Sequence, residues 1–151
     1  MTIEINNESG IEVDSTRVLN LARFALGFLR IHPKSELAIV FVDEPAIEKL
    51  HIEWMDEPGP TDVLSFPMDE LRPGVEGIAS EPGLLGDIVV CPQVAAAQAV
   101  VAGHATSNEI CMLVAHGILH LLGFDHAEPD EEREMFTLQA QILSDFYGQE
   151  V

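Results

Sequence analysis

Apolar positions along the chain follow two periods, one near two or unbroken in short runs and one near 3.6, and the change from one to the other outlines the elements. An apolar-alternating stretch from Thr2 to Asn6 predicts a strand. Asp14 is a good N-cap for the segment VDSTRVLNLARFALGFLRI, in which Val18, Leu21, Ala22, Ala25 and Leu29 share one helical face. ELAIVFVD reads as a short strand buried on both faces, and Asp43 then caps a helix running to Trp54 with Pro45 in its first turn. A further strand is expected from Asp62 to Phe66, followed by a long Gly, Pro and Glu-rich loop from Met68 to Gly83, the kind a compact domain keeps when it is mobile or functional. GDIVVCP is another strand. Three helical stretches complete the chain: PQVAAAQAVVAG, TSNEICMLVAHGILHLLG and EPDEEREMFTLQAQILSDF. With no repeat and no dividing linker, the expectation is one α+β domain over residues 1–151, a small mixed β-sheet packed with helices.

Composition narrows the class. Hydrophobic residues make up 47% of the 151 and charged residues 22%, the balance of a globular chain. The longest apolar candidate, Cys111 to Phe124, is too short for a membrane and is interrupted by His116 and His120. MTIEINNESG has neither the basic head nor the apolar run of an export signal, so a cytoplasmic protein without membrane attachment is expected. Cys91 and Cys111 form no C-x-x-C pair and read as small buried apolar residues, with metal ligation the alternative. A net charge of -19 argues against general attraction to nucleic acid, so any such function needs a local site.

Such a site is suggested by HGILHLLGFDH. His116 and His120, at i and i+4, project from one helical face, Gly123 stands where a left-handed turn ends the helix, and His126 can fold back toward them. Histidines that merely pack and bond to carbonyls are the bland alternative. Three imidazoles with an open fourth position are the arrangement of a catalytic zinc ion, though imidazole also suits nickel, copper and iron. The spacing matches the metzincin peptidase pattern, giving a zincin-like metal-bearing helix, but Gly117 stands where those enzymes have their general base. Asp125 reads as holding a histidine from behind, or as a proton acceptor. Glu109 falls on the His116 face or is an exposed first-turn acid.

Beyond the geometry, the chain resembles the YbeY metal-dependent endoribonucleases. HGILHLLGFDH matches that family's H-G-x-L-H-L-x-G-[YF]-D-H, and PTDVLSFP (Pro60–Pro67) and GDI (Gly86–Ile88) follow its other landmarks in order. The resemblance implies a zinc-dependent hydrolase of single-stranded RNA, with His116, His120 and His126 as ligands of one Zn²⁺. It further implies a role in 16S rRNA 3′-end maturation and ribosome quality control, and the small ribosomal subunit and its proteins, not DNA, as partners. Thr61 and Asp62 read as structural and Ser65 as a possible substrate-facing residue. Many family members have an arginine five residues before the proline of PTDVLSF, whereas this chain has Met55. Arg72 is a candidate substitute, or an ordinary solvated loop residue. Arg23 and Arg30, seven apart, are expected on one face of the first helix, where the polar side of an amphipathic helix is the plainer account. Two rivals stay open: a peptidase with an unusual base, and a ribosome-assembly factor with a structural metal whose acidic surface meets basic ribosomal proteins.

Overall fold

The computed structural model describes residues 1–150 as four strands and five helices: β1 (Thr2–Asn7), α1 (Ser15–Phe28), β2 (Glu36–Phe41), α2 (Glu44–Met55), β3 (Val63–Pro67), β4 (Leu84–Val90), α3 (Pro92–Ala102), α4 (Thr106–Leu121) and α5 (Pro129–Gln149). The strands form one mixed sheet in the order β1-β2-β4-β3, with β1, β2 and β4 parallel and β3 antiparallel to β4. The α+β expectation therefore holds.

Local chemistry accounts for the boundaries. Asp14 and Asp43 cap α1 and α2 by accepting from the N–H groups of Arg17 and Ala46, at 3.1 and 3.0 Å. Each such cap is worth about 1 kcal/mol. α1 buries Val18, Leu21, Ala22, Ala25 and Leu26. It stops at Phe28, and Arg30 turns into the left-handed region at φ 57°. Arg23 and Arg30 thus share no helix face, because the helix that would align them has already ended.

One face of the sheet carries α1 and α4 over Leu37, Ile39, Phe41, Leu85, Ile88 and Val90, and α5 packs against both helices. The register steps between Glu36 and Leu37, leaving Leu85 as an extra residue, so Leu85 joins Ile88 and Val90 in one core despite the odd spacing. The opposite face has a smaller cluster in which Ile47 of α2 packs on Val42, Leu64, Val89 and Cys91. β2 accordingly alternates: Leu37, Ile39 and Phe41 are buried, while Ala38 and Val40 are half-buried. The expected burial on both faces is only partial, because α2 does not cover that side of the strand completely.

Residues 68–83 form the long loop, carrying only a single bridge between Val75 and Ile78. Among the described residues no helix is long and apolar enough to cross a membrane.

Both cysteines are buried and free. Burial pushes the Cys111 thiol up to about 11, and it raises Cys91 as well. A thiol at about 11 is roughly one part in a thousand thiolate at pH 8, and thiolate is the reactive form. Iodoacetamide at pH 8 should therefore leave Cys111 unmodified in the native protein and alkylate it in denaturant, as intact-mass spectrometry would read. Alkylation at equal rates in both states would contradict the packing.

Candidate metal centre

α4 touches α1, α3, α5, β3 and β4, and so occupies the middle of the helical layer. It comes close to the sheet at Gly117. A Cβ there would meet Ile88 Cγ2 at 2.9 Å and Ser65 Oγ at 3.2 Å, so a larger residue has no room. Ser65 Oγ donates to the Gly117 carbonyl at 3.2 Å. The peptidase-type glutamate is thus absent for a packing reason as well as by sequence.

His116 and His120 flank this contact one turn apart. His126 joins them after the chain reverses at Gly123, whose φ of +93° strains any L side chain, and where a Cβ would also displace the Arg72 guanidinium, 2.7 Å away. Ring nitrogens of the three histidines all lie within 4.8 Å of one another. His116 Nε2 and His120 Nε2 are 3.1 Å apart. Two nitrogens bound tetrahedrally to one zinc at about 2.0–2.1 Å would sit roughly 3.3 Å apart, so the pair is close to metal spacing.

Hydrogen bonding points the same way. His116 Nδ1 meets Gln139 Oε1 at 2.8 Å; a carboxamide oxygen only accepts, so Nδ1 carries the proton and Nε2 presents its lone pair. Burial is the main cause lowering the pKa of the His116 and His120 rings, which favours the neutral, ligating form. Gln139 and Asp62 oppose this at His116, as Asp125 does at His120. Phe136 stacks on His116 at 5.8 Å and lies 6.0 Å from His126. The donor set therefore fits a divalent metal: three imidazoles, two of them half-buried, converge with no fourth His, Cys, Asp or Glu ligand in the group among the described residues.

The three histidines line a cleft of about 430 Å³ with Met55, Asp62, Ser65 and other residues of β3. Met55, where an arginine was expected by resemblance, is exposed at its lip. Ser65 is at the cleft, but its hydroxyl is spent on Gly117. Asp62 Oδ1 accepts from Val63 N at 2.7 Å, the structural role expected of it, yet the same side chain is the carboxylate lining the cleft. Asp125 Oδ1 accepts from His126 N at 2.7 Å, so it fixes the backbone of that residue rather than an imidazole.

Arg72 lies outside the cleft. Its Nη1 donates to the carbonyls of Leu71 and Leu122 at 3.1 and 3.4 Å, clamping the end of α4 just before the Gly123 turn. Glu109 is only 4% exposed and pairs with His104 Nε2 at 2.5 Å, away from the metal cleft. Glu109 does share the helix face of His116, but it is not the exposed acid of a first turn, because the first turn of α4 is itself packed against neighbouring helices. Sequence reasoning also missed Gln139. It interrupts the buried stripe Met135, Ile142 and Phe146 of α5, and a polar residue in such a stripe was the available signal.

The model of the family described as Endoribonuclease YbeY matches residues 3–147. The chain belongs to the YbeY endoribonuclease family. A YbeY endoribonuclease from Clavibacter sepedonicus is 70% identical over 146 residues, covering 97% of this chain and 95% of that one. One from Kineococcus radiotolerans is 63% identical over 150 residues, with 97% and 87% covered. The solution structure of TM1509 from Thermotoga maritima superposes with a TM-score of 0.64 at 27% identity, covering 98% of this chain and 91% of that one. YbeY membership supports RNA cleavage as the activity and agrees with the observed α+β architecture.

Replacing Gln139 with Leu should release His116 from its single tautomer. In ¹⁵N-resolved imidazole spectra of the metal-free protein, His116 is expected to be protonated at Nδ1 in the wild type and to shift toward Nε2 protonation in Gln139→Leu. An unchanged tautomer in the variant would show that Gln139 does not orient the ring.

Proposed function

We propose that residues 1–151 act as one metal-dependent endoribonuclease unit that cuts single-stranded RNA. His116, His120 and His126 hold one Zn²⁺ in this reading. The convergence of the three ring nitrogens, beside a helix contact with no room for a peptidase glutamate, carries it. Processing of the 16S rRNA 3′ end in the cytoplasm, on or near the small ribosomal subunit, is the setting consistent with the family.

An ion held there supplies Lewis acidity for a phosphoryl oxygen and lowers the pKa of a bound water. The chain's own residues set the geometry. Gln139 keeps His116 Nε2 free of its proton, Asp125 holds the backbone of His126, and Arg72 with Gly123 fixes the reversal between the second and third histidines. Asp62 is the proton acceptor in this scheme: Oδ1 is engaged with the backbone, while Oδ2 makes no hydrogen bond among the described residues.

Cleavage of a labelled single-stranded RNA bearing the 16S 3′ region tests the assignment. Zinc-loaded wild type should cut it, and identically purified His120→Ala should not. Peptide cleavage in place of RNA cleavage would transfer the site to the peptidase reading, and metal binding with neither activity would favour an assembly factor. Asp62→Asn keeps an oxygen for the Val63 N–H but removes the base. It should lower kcat by about 10²–10⁴-fold with KM little changed, the usual size of a general-base contribution. Wild-type kcat in that variant would leave Asp62 with its structural role alone.

A further inference from the structure

Trp54 is the only tryptophan in the chain, and it stands 63% exposed in the last turn of α2. Met55 beside it is exposed as well, so the indole is not an isolated apolar residue at this end of α2. The indole is held from beneath. Phe66 of β3, half-buried against the core under α2, meets it edge to face at 6.0 Å and 70°. The next residue, Met55, lines the metal cleft together with Ser65 and Pro67, the neighbours of Phe66 in β3. The indole shelf therefore stands on the α2 side of the unpaired edge of β3, with Met55 between it and the cleft on the other side.

Charge decides what such a shelf can hold. None of the nine residues lining the cleft is Lys or Arg. Around the shelf, Glu53, Asp56 and Glu57 are exposed and repel phosphate. A ligand strand must then turn its backbone away from α2 and offer an uncharged, flat group.

We propose that Trp54, braced by Phe66, is a stacking platform for an unpaired nucleobase of the RNA strand entering the metal cleft. The inference rests on the RNA-cleaving reading above. Every base has a π-face, so the platform tolerates any sequence, and a base already stacked in a duplex is not available to it. Selectivity for single strands follows from that without a base-specific hydrogen bond.

Because Trp54 is the sole indole, fluorescence reports this site alone. Zinc-loaded protein is mixed rapidly with a short single-stranded RNA and read before turnover, in parallel with an abasic strand of the same length. Quenching by the RNA and not by the abasic strand is expected. In steady-state cleavage, Trp54→Ala should raise KM by between about fivefold and a hundredfold with kcat retained, and Trp54→Phe should keep most of the wild-type KM. Matching thermal unfolding of both variants shows that α2 still packs. RNA cleavage without quenching, or with an unchanged KM in Trp54→Ala, overturns the platform and leaves the nuclease assignment standing. Equal quenching by the abasic strand also overturns it, since the contact would then be with the backbone. Neither quenching nor cleavage removes both readings together.

Discussion

The close seat of α4 on the sheet at Gly117 is the contact on which the rest of the centre depends. A helix with any Cβ at this position would be held off Ile88 and Ser65, and the displaced axis would carry His116 and His120 away from the edge of β3. Overpacking of this kind typically costs 1–3 kcal/mol. With glycine, the carbonyl of residue 117 comes near enough to accept from Ser65, and the two histidines open onto a cleft walled by β3. One packing constraint thus builds the cleft and also excludes the acid that a peptidase would place there.

The third histidine depends on a second constraint, the reversal at Gly123. Helix ends leave carbonyls without partners, and here a side chain from a distant loop provides one: Arg72 reaches the Leu122 carbonyl and lies against the left-handed turn at Gly123. The positive guanidinium at a helix C-terminus is also favourable to the helix dipole. This gives the loop of residues 68–83 a mechanical purpose. Its cation serves the turn that delivers His126, rather than standing in solvent or replacing the arginine absent at Met55.

Features set by local spacing were readable from the chain alone. The caps at Asp14 and Asp43, the turn at Gly123 and the shared face of His116 and His120 each depend on residues within a turn or two of one another. Distant pairings were not readable. Gln139 meets His116 across 23 positions, and Arg72 meets Leu122 across 50. Such contacts follow from how α5 and the loop lie on α4, which periodicity does not encode. Glu109 shows the same limit, because an acid in a first turn is normally solvated until tertiary packing buries it beside a histidine. Arg23 and Arg30 failed for a different reason: a heptad spacing was extended past a helix end.

The remaining difficulty is how a chain of net charge -19 handles a polyanion. Proteins that bind nucleic acid ordinarily gain affinity by releasing counterions from phosphates through Lys and Arg. The cleft offers neither, and burial keeps two of its imidazoles toward the neutral form. At physiological salt, exposed charges more than about 8 Å away are largely screened, so the acidic surface matters most during approach and least at contact. Recognition must then be short-ranged, and in the proposed reading a bound ion would be the local positive charge, with aromatic surface as the remaining adhesion. On the proposed reading, such an arrangement would let the enzyme ignore most RNA it encounters and engage only strands whose unpaired bases can reach the edge of β3.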